Sequence, residues 1–309
     1  MMTTTTVTAP TAGSAPLAEA KVHRSWTQHG LLFVAPFLLV YVAFLVWPTL
    51  LGLRMSFSSV NIAGSNDHLV GFANYAEAFG DPRMWRSLWN TLLFTVLSTV
   101  PLVILGLLFA LLVHNLRFVQ WLWRLSFFGP FLLPSAVVSI LWLEMIYPPD
   151  YGLLNGTFGT DLLWLGDPDL AMWSMVLTTV WWTVGFNFLL YLAALQSIPQ
   201  HLYEAAAIDG ASAWDKLRSI TLPMLSRTTA LIVILQLLAS LKVFDQIYLM
   251  TGGGPEDATR PIIEYAYDMG FTGYRIGYAS AVSYILFVLI VVVSLVQLRL
   301  FRKREEASS

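Results

Sequence analysis

Six continuous apolar runs organise the chain, near residues 31–51, 90–113, 122–146, 171–196, 226–250 and 276–300. Each is about 20 residues or longer, enough for a helix to cross a hydrocarbon core roughly 30 Å thick. Stretches such as "LIVILQLLASL" and "ILFVLIVVVSLVQL" lack the in-out alternation of a membrane β-strand. The pattern therefore predicts an all-α integral membrane protein with six transmembrane helices. Pro36 and Pro48 sit in or at the edge of the first run, and Pro101, Pro130 and Pro134 predict kinks in the second and third.

Composition supports a lipid solvent: 57% of residues are hydrophobic and 12% charged, against about 25% charged in soluble domains. The opening "MMTTTTVTAPTAGSAPLAEA" has neither a basic start nor an apolar core, so it does not read as a secretory signal. Residues 1–29 read as a disordered cytoplasmic tail, 30–304 as the membrane domain and 305–309 as a C-terminal tail. With six spans both termini share a side. Eleven of the seventeen Lys and Arg, among them Arg124, Lys216, Arg218, Arg227 and Arg299, fall on that side. The positive-inside rule makes it the cytoplasm. The 147–170 loop, with Asp150, Asp161, Asp167 and Asp169 and no Lys or Arg, is placed outside.

Between the fourth and fifth runs lies a small, polar stretch, "YEAAAIDGASAWDKLRSITLP", Tyr203 to Pro223. Ser197 is placed to cap a helix and Pro199 suits its first turn, where a missing N–H costs nothing. Gly210 can take the left-handed conformation that ends the helix. Ser212 restarts it, with Asp215 three residues on completing a capping-box variant. Pro223 marks the end of the restart or a kink. Trp214, Leu217 and Ile220 recur at helical spacing, suited to the bilayer surface or to other span ends. On physical grounds alone this helix-turn-helix is equally compatible with an ordinary amphipathic connector.

The spacing Glu204-Ala205-Ala206, Gly210, Ile220, Leu222-Pro223 resembles the "EAA" loop of permease subunits of ABC importers. The segment "VFDQIYLMTGGGPEDAT", Val243 to Thr259, is similar to one in the carbohydrate-type group that serves maltose, trehalose and glycerol-phosphate systems. The resemblance spans about residues 30–304. It implies a type I importer permease fold in a prokaryotic inner or plasma membrane, with a coupling loop over 198–224. Glu204, Ala205, Ala206, Asp209, Gly210, Leu222 and Pro223 would meet a separate ABC ATPase dimer, which binds ATP and Mg. A second homologous permease and an extracytoplasmic solute-binding protein are also implied, and no nucleic acid.

The chain carries no phosphate-binding G-x-x-x-x-G-K-[ST], no H-E-x-x-H and no cysteine, and its five histidines are scattered. The reading is thus of a transport subunit without catalytic residues, metal or cofactor of its own. Within the fourth run Thr179, Thr183 and Asn187 form one stripe, flanked by Trp182 and Phe186; Gln236 and Ser240 share a face of the fifth. Hydroxyls, amides and aromatic faces suit a sugar, so these residues are candidates for the solute path, although interhelical hydrogen bonding explains them as readily. Lys242 and Asp245, three apart, are expected to pair. An ion-coupled secondary transporter is the alternative, but no internal repeat supports it.

Overall fold

The computed structural model describes residues 25–308, apart from 62, 65, 66, 115 and 117–119. Most of the predicted N-terminal tail lies outside these residues, as does Arg117. Two compact units divide after Leu51. The first contains α1 (Ser25–Tyr41), one turn of π-helix (Val42–Val46) and the start of α2 (Trp47–Ser56). Neither Pro36 nor Pro48 breaks it, and no side chain from Phe33 to Leu51 is buried.

The second unit is built on α4 (Pro82–His114), which follows α3 (Ala73–Gly80) and runs uninterrupted through Pro101. After α5 (Gln120–Phe128), α6 (Ser135–Leu141) and α7 (Leu153–Phe158) comes α8 (Pro168–Gln196). The start of α8 is set locally: the Asp167 carboxylate accepts from Asp169 N–H, and Pro168 takes the first turn. Its closest approaches are made by glycine. A Cβ on Gly185 would lie 2.0 Å from the Phe127 carbonyl oxygen of α5, and one on Gly106 of α4 would lie 2.9 Å from Asn187 Cβ. Small residues let membrane helices pack this tightly, because lipid supplies no hydrophobic drive to hold them together.

Short helices α9 (Gln200–Ile208), α10 (Ala213–Lys216) and α11 (Leu222–Met224) lead into α12 (Ser226–Ser240), and α13 (Asp245–Met250) and α14 (Ile262–Tyr267) precede α15 (Ile276–Ser308). Around α8, Phe94, Val138, Trp142 and Met175 form one buried apolar cluster with Ile247. Val113, Phe188, Tyr191, Leu195 and Leu225 form a second.

Among the described residues four helical stretches, Phe33–Ser56, Pro82–His114, Pro168–Gln196 and Ile276–Arg299, are long and apolar enough to cross a membrane. The third run is not a straight rod, and the loop enters the fifth run at an angle. Gln120–Leu132 meets Ser135–Ile146 at 99°, and Ala213–Met224 meets Ser226–Ser240 at 60°. The first bend sits at Pro134, which cannot donate to the ladder. The fifth run also ends as helix at Ser240, with residues 241–244 forming a turn. That turn removes the helical spacing on which pairing of Lys242 with Asp245 depended: both side chains are exposed and they form no ion pair with each other.

Candidate functional site

The 198–224 loop is two helices joined by a corner whose every step is local. At its start, the Ser197 hydroxyl donates back to the Ala194 carbonyl (2.7 Å), closing α8 instead of capping α9, and Pro199 occupies the cap position. Helix α9 ends in a Schellman motif. Ala211 N–H reaches the Ala206 carbonyl (2.9 Å), Gly210 N–H reaches the Ala207 carbonyl (3.1 Å), and Gly210 has φ +80°. The restart follows at once. Ser212 Oγ accepts from Asp215 N–H (3.3 Å), and Asp215 Oδ2 accepts from Ser212 N–H (3.0 Å). Hydrogen bonds from the Ser212 side chain and backbone hold the Asp215 carboxyl below its usual range.

Inward, Tyr203 and Ile220 pack beside Leu195, Ile198 and Leu225. A hydrogen bond between the Tyr203 and Thr221 hydroxyls (2.9 Å) ties the two helices together. Outward, Glu204, Ala205, Asp209, Gly210, Leu222 and Pro223 are exposed and Ala206 is half-buried. The most exposed apolar side chains of the loop are Ile208 at 87% and Trp214 at 66%. Ile208 was not singled out in the sequence, although an isoleucine directly before Asp209-Gly210 on a polar helix was a usable signal. A rigid corner that presents a bare isoleucine and tryptophan among small and acidic residues has the make-up of a docking surface.

The polar residues of the apolar runs are brought together, mostly in the interior. Asn187 Nδ2 donates to the Leu102 carbonyl (3.3 Å) and to Gln236 Oε1 (3.4 Å). Gln236 Nε2 continues to Ser240 Oγ (3.3 Å), which meets Ser98 Oγ (3.0 Å). This chain joins α4, α8 and α12. Thr179 is buried, accepts from Gln246 and donates to the Met175 carbonyl (2.7 Å). Trp182, Thr183 and Phe186 remain half-exposed. Trp182 Nε1 donates to the Leu133 carbonyl (3.1 Å) beside the 99° bend, and Phe186 stacks on Phe131 with centroids 5.2 Å apart.

A third site is centred on Glu264, which escaped the sequence reading although the glycine-rich segment above it did not. In the glycine-rich segment after α13, Gly252 and Gly253 adopt φ +55° and +79°. Asn90 Nδ2 fastens that segment to α4 through the Asp257 carbonyl (2.7 Å) and the Arg260 carbonyl (3.2 Å). Arg260 pairs with Asp257 (2.8 Å) and approaches Asp268 (3.6 Å). Beneath them Glu264, in a segment outside the apolar runs, is 1% exposed. Its Oε2 has no hydrogen-bond partner among the described residues. Burial pushes the Glu264 carboxyl up to about 7; Arg260 pulls the other way, and Asp268 and Asp257 add to the rise.

Long apolar helices and two sharply bent helix pairs, with an exposed polar helix pair between α8 and α12 and hydrogen-bonded amides inside, define a multi-span membrane protein of the transporter class. The chain belongs to the family of binding-protein-dependent transport system inner membrane components, whose model matches residues 80–306. It is 36% identical to the trehalose/maltose transport system permease protein MalF of Thermococcus litoralis over 282 residues, covering 90% of this chain and 95% of that one. It is 33% identical to the sulfoquinovosyl glycerol transport system permease protein SmoG of Agrobacterium fabrum over 279 residues, covering 89% and 90%. Among solved structures it is similar to a chain of a bacterial ABC transporter involved in the import of the acidic polysaccharide alginate. There the TM-score is 0.79 and the identity 25%, over 91% of this chain and 97% of that one. The fold is thus the type I permease fold of ABC importers, in a multi-pass inner-membrane protein.

Proposed function

We propose that this chain is one of two permease subunits of an ATP-driven importer for a sugar or related solute, and that its 198–224 loop transmits the work of a separate ATPase. The carrying observation is the exposed corner at Gly210. Its backbone is fixed by its own caps, and its Ile208, Glu204 and Ala205 side chains are presented outward. In this reading Gln120–Ile146 is one span broken at Pro134 and the fifth span begins at Ser226, after the 60° turn out of the loop, giving six spans with both termini and the 198–224 loop in the cytoplasm. ATP and Mg reside in the partner ATPase dimer, and an extracytoplasmic binding protein brings the solute to the outer mouth. The permease relatives named for trehalose/maltose and for sulfoquinovosyl glycerol support a glycosidic or polyol solute.

For the solute path, Trp182, Thr183 and Phe186 are assigned to its wall, being half-exposed beside the broken third span. Thr179, Asn187, Gln236 and Ser240 act from behind, holding α4, α8 and α12 in register. The test is co-purification from mild detergent on a C-terminal tag, with mass spectrometry of what remains bound. Recovery of a P-loop ATPase and a second six-span permease is expected. A single chain that transports in liposomes without ATP overturns the reading.

A further inference from the structure

Two cavities meet at Leu111 of α4. The first is an apolar cleft of about 610 Å³, walled by Val103, Leu107 and Leu111 of α4, Ala230 and Val233 of α12, and Phe301 of α15. The second, of about 370 Å³, lies beyond Leu111 and is lined by His114, Lys216, Tyr203 and Thr221. From Val103 to His114 the pair follows about 16 Å of helix, close to one leaflet of a hydrocarbon core roughly 30 Å thick. One end is aliphatic at membrane depth and the other is cationic at the end of a span.

Charge complementarity names the occupant. Lys216 forms no ion pair among the described residues. Its neighbour Asp215 is already engaged by Ser212. His114 stands in the last turn of α4, and its imidazole offers a ring N–H to an anion. Trp121 and Trp123 are both exposed in α5, which follows this end, as tryptophan is where a bilayer meets water. We propose that the paired cavities bind an anionic phospholipid, with an acyl chain in the cleft and the headgroup phosphate at Lys216 and His114. The second cavity also carries Tyr203 and Thr221, whose hydrogen bond joins α9 to the restarted helix. A seated headgroup therefore braces the loop against α4.

The experiment uses the full chain, with whatever subunits co-purify, exchanged from phosphatidylglycerol into phosphatidylcholine nanodiscs and assayed for retained lipid by native mass spectrometry. Wild type is expected to retain phosphatidylglycerol. Lys216→Ala with His114→Ala, and separately Ala230→Trp, are expected to retain at least tenfold less. The first variant alters only the cavity at the helix ends, so it reports even if the second fails to fold. Wild-type retention by the double variant overturns the site. Equal thermal protection by inorganic phosphate alone assigns a free anion and overturns the lipid. Because the chain has no native cysteine, Ala230→Cys gives a unique thiol for a photo-crosslinker. Lipid capture there supports the proposal, and capture of polypeptide shows a protein helix in the cleft and overturns it.

Discussion

Gly210 separates two accounts of the 198–224 loop, because its conformation and its surroundings make opposite demands. Its φ of +80° disfavours any L side chain, yet a Cβ built there meets nothing within 4 Å. Within this chain, then, substitution costs only the left-handed backbone, about 1–2 kcal/mol, or roughly a 5- to 30-fold shift away from the native corner at about 1.4 kcal/mol per factor of ten. The Ala211-to-Ala206 and Gly210-to-Ala207 bonds are lost with it, and the direction of the restarted helix changes. Asparagine tolerates the left-handed region and alanine does not, so the expected order of solute-stimulated ATPase activity in the reconstituted complex is Gly, then Asn, then Ala, then Val. The chain should insert normally in all four, as judged by monodisperse elution in detergent. If Ala retains more activity than Asn, then side-chain size against a partner surface controls the corner, and the conformational argument is refuted. Wild-type activity in Gly210→Val removes the loop from the coupling path altogether.

Glu264 gives a pH signature. A carboxyl raised from 4.5 to about 7 contributes stability that is fully present below about 4.5 and lost as pH rises through about 7. Wild type should melt at lower temperature at pH 8 than at pH 5.5, and Glu264→Gln should flatten that dependence; identical slopes refute the burial argument. Gly185→Ala forces a Cβ to within 2.0 Å of the Phe127 carbonyl oxygen, so a loss of at least about 1–3 kcal/mol is expected. It is read as earlier melting by fluorescence-detected size exclusion, and an unchanged melting temperature shows that the α5–α8 contact is looser than described. Asn187→Leu deletes two interhelical bonds worth about 0.6 kcal/mol each, and should lower stability by more than it lowers uptake per folded transporter. Trp182→Ala should cut uptake by more than any loss of folded protein, and the reverse pattern would exchange the two roles.

What was legible in the sequence was local or one-dimensional. The length and apolarity of the runs gave α4, α8 and α15, because a helix in lipid must satisfy its own backbone wherever it lies. Ser212, Asp215 and Gly210 were equally readable, since caps and left-handed corners are decided within a few residues. Errors began where a neighbour decided the outcome. Ser197 has the chemistry of an N-cap, but with α8 extending to Gln196 its hydroxyl is nearer the Ala194 carbonyl. Lys242 and Asp245 pair only on an unbroken helix, and nothing in "SLKVF" announces that α12 stops at Ser240. Pro134 flagged a kink, but nothing local to it gives the 99° angle. Glu264 lay in an unremarked segment, and its burial depends on α4, the glycine turn and α15 closing around it.

The polar stripe shows the same limit and carries a structural lesson. Periodicity correctly put Thr179, Thr183 and Asn187 on one face, but a shared face does not say what it meets. Within the chain, Asn187 meets a backbone carbonyl of α4 and the amide of Gln236, so a residue suited to bind a sugar is used to fix three helices. Each bond contributes little, because polar groups in the membrane-inserted but unpacked chain also find partners. Their effect is to specify position: α4, α8 and α12 can slide only if Asn187, Gln236, Ser240 and Ser98 exchange partners together. That favours a few discrete arrangements over continuous flexing, as the proposed importer role would require of a wall behind the solute path proposed above. The half-exposed Trp182, Thr183 and Phe186 stand in front of that wall, beside the bend at Pro134. A movement of the 198–224 loop transmitted along α8 or α12 would therefore reach the network first and these three side chains through it.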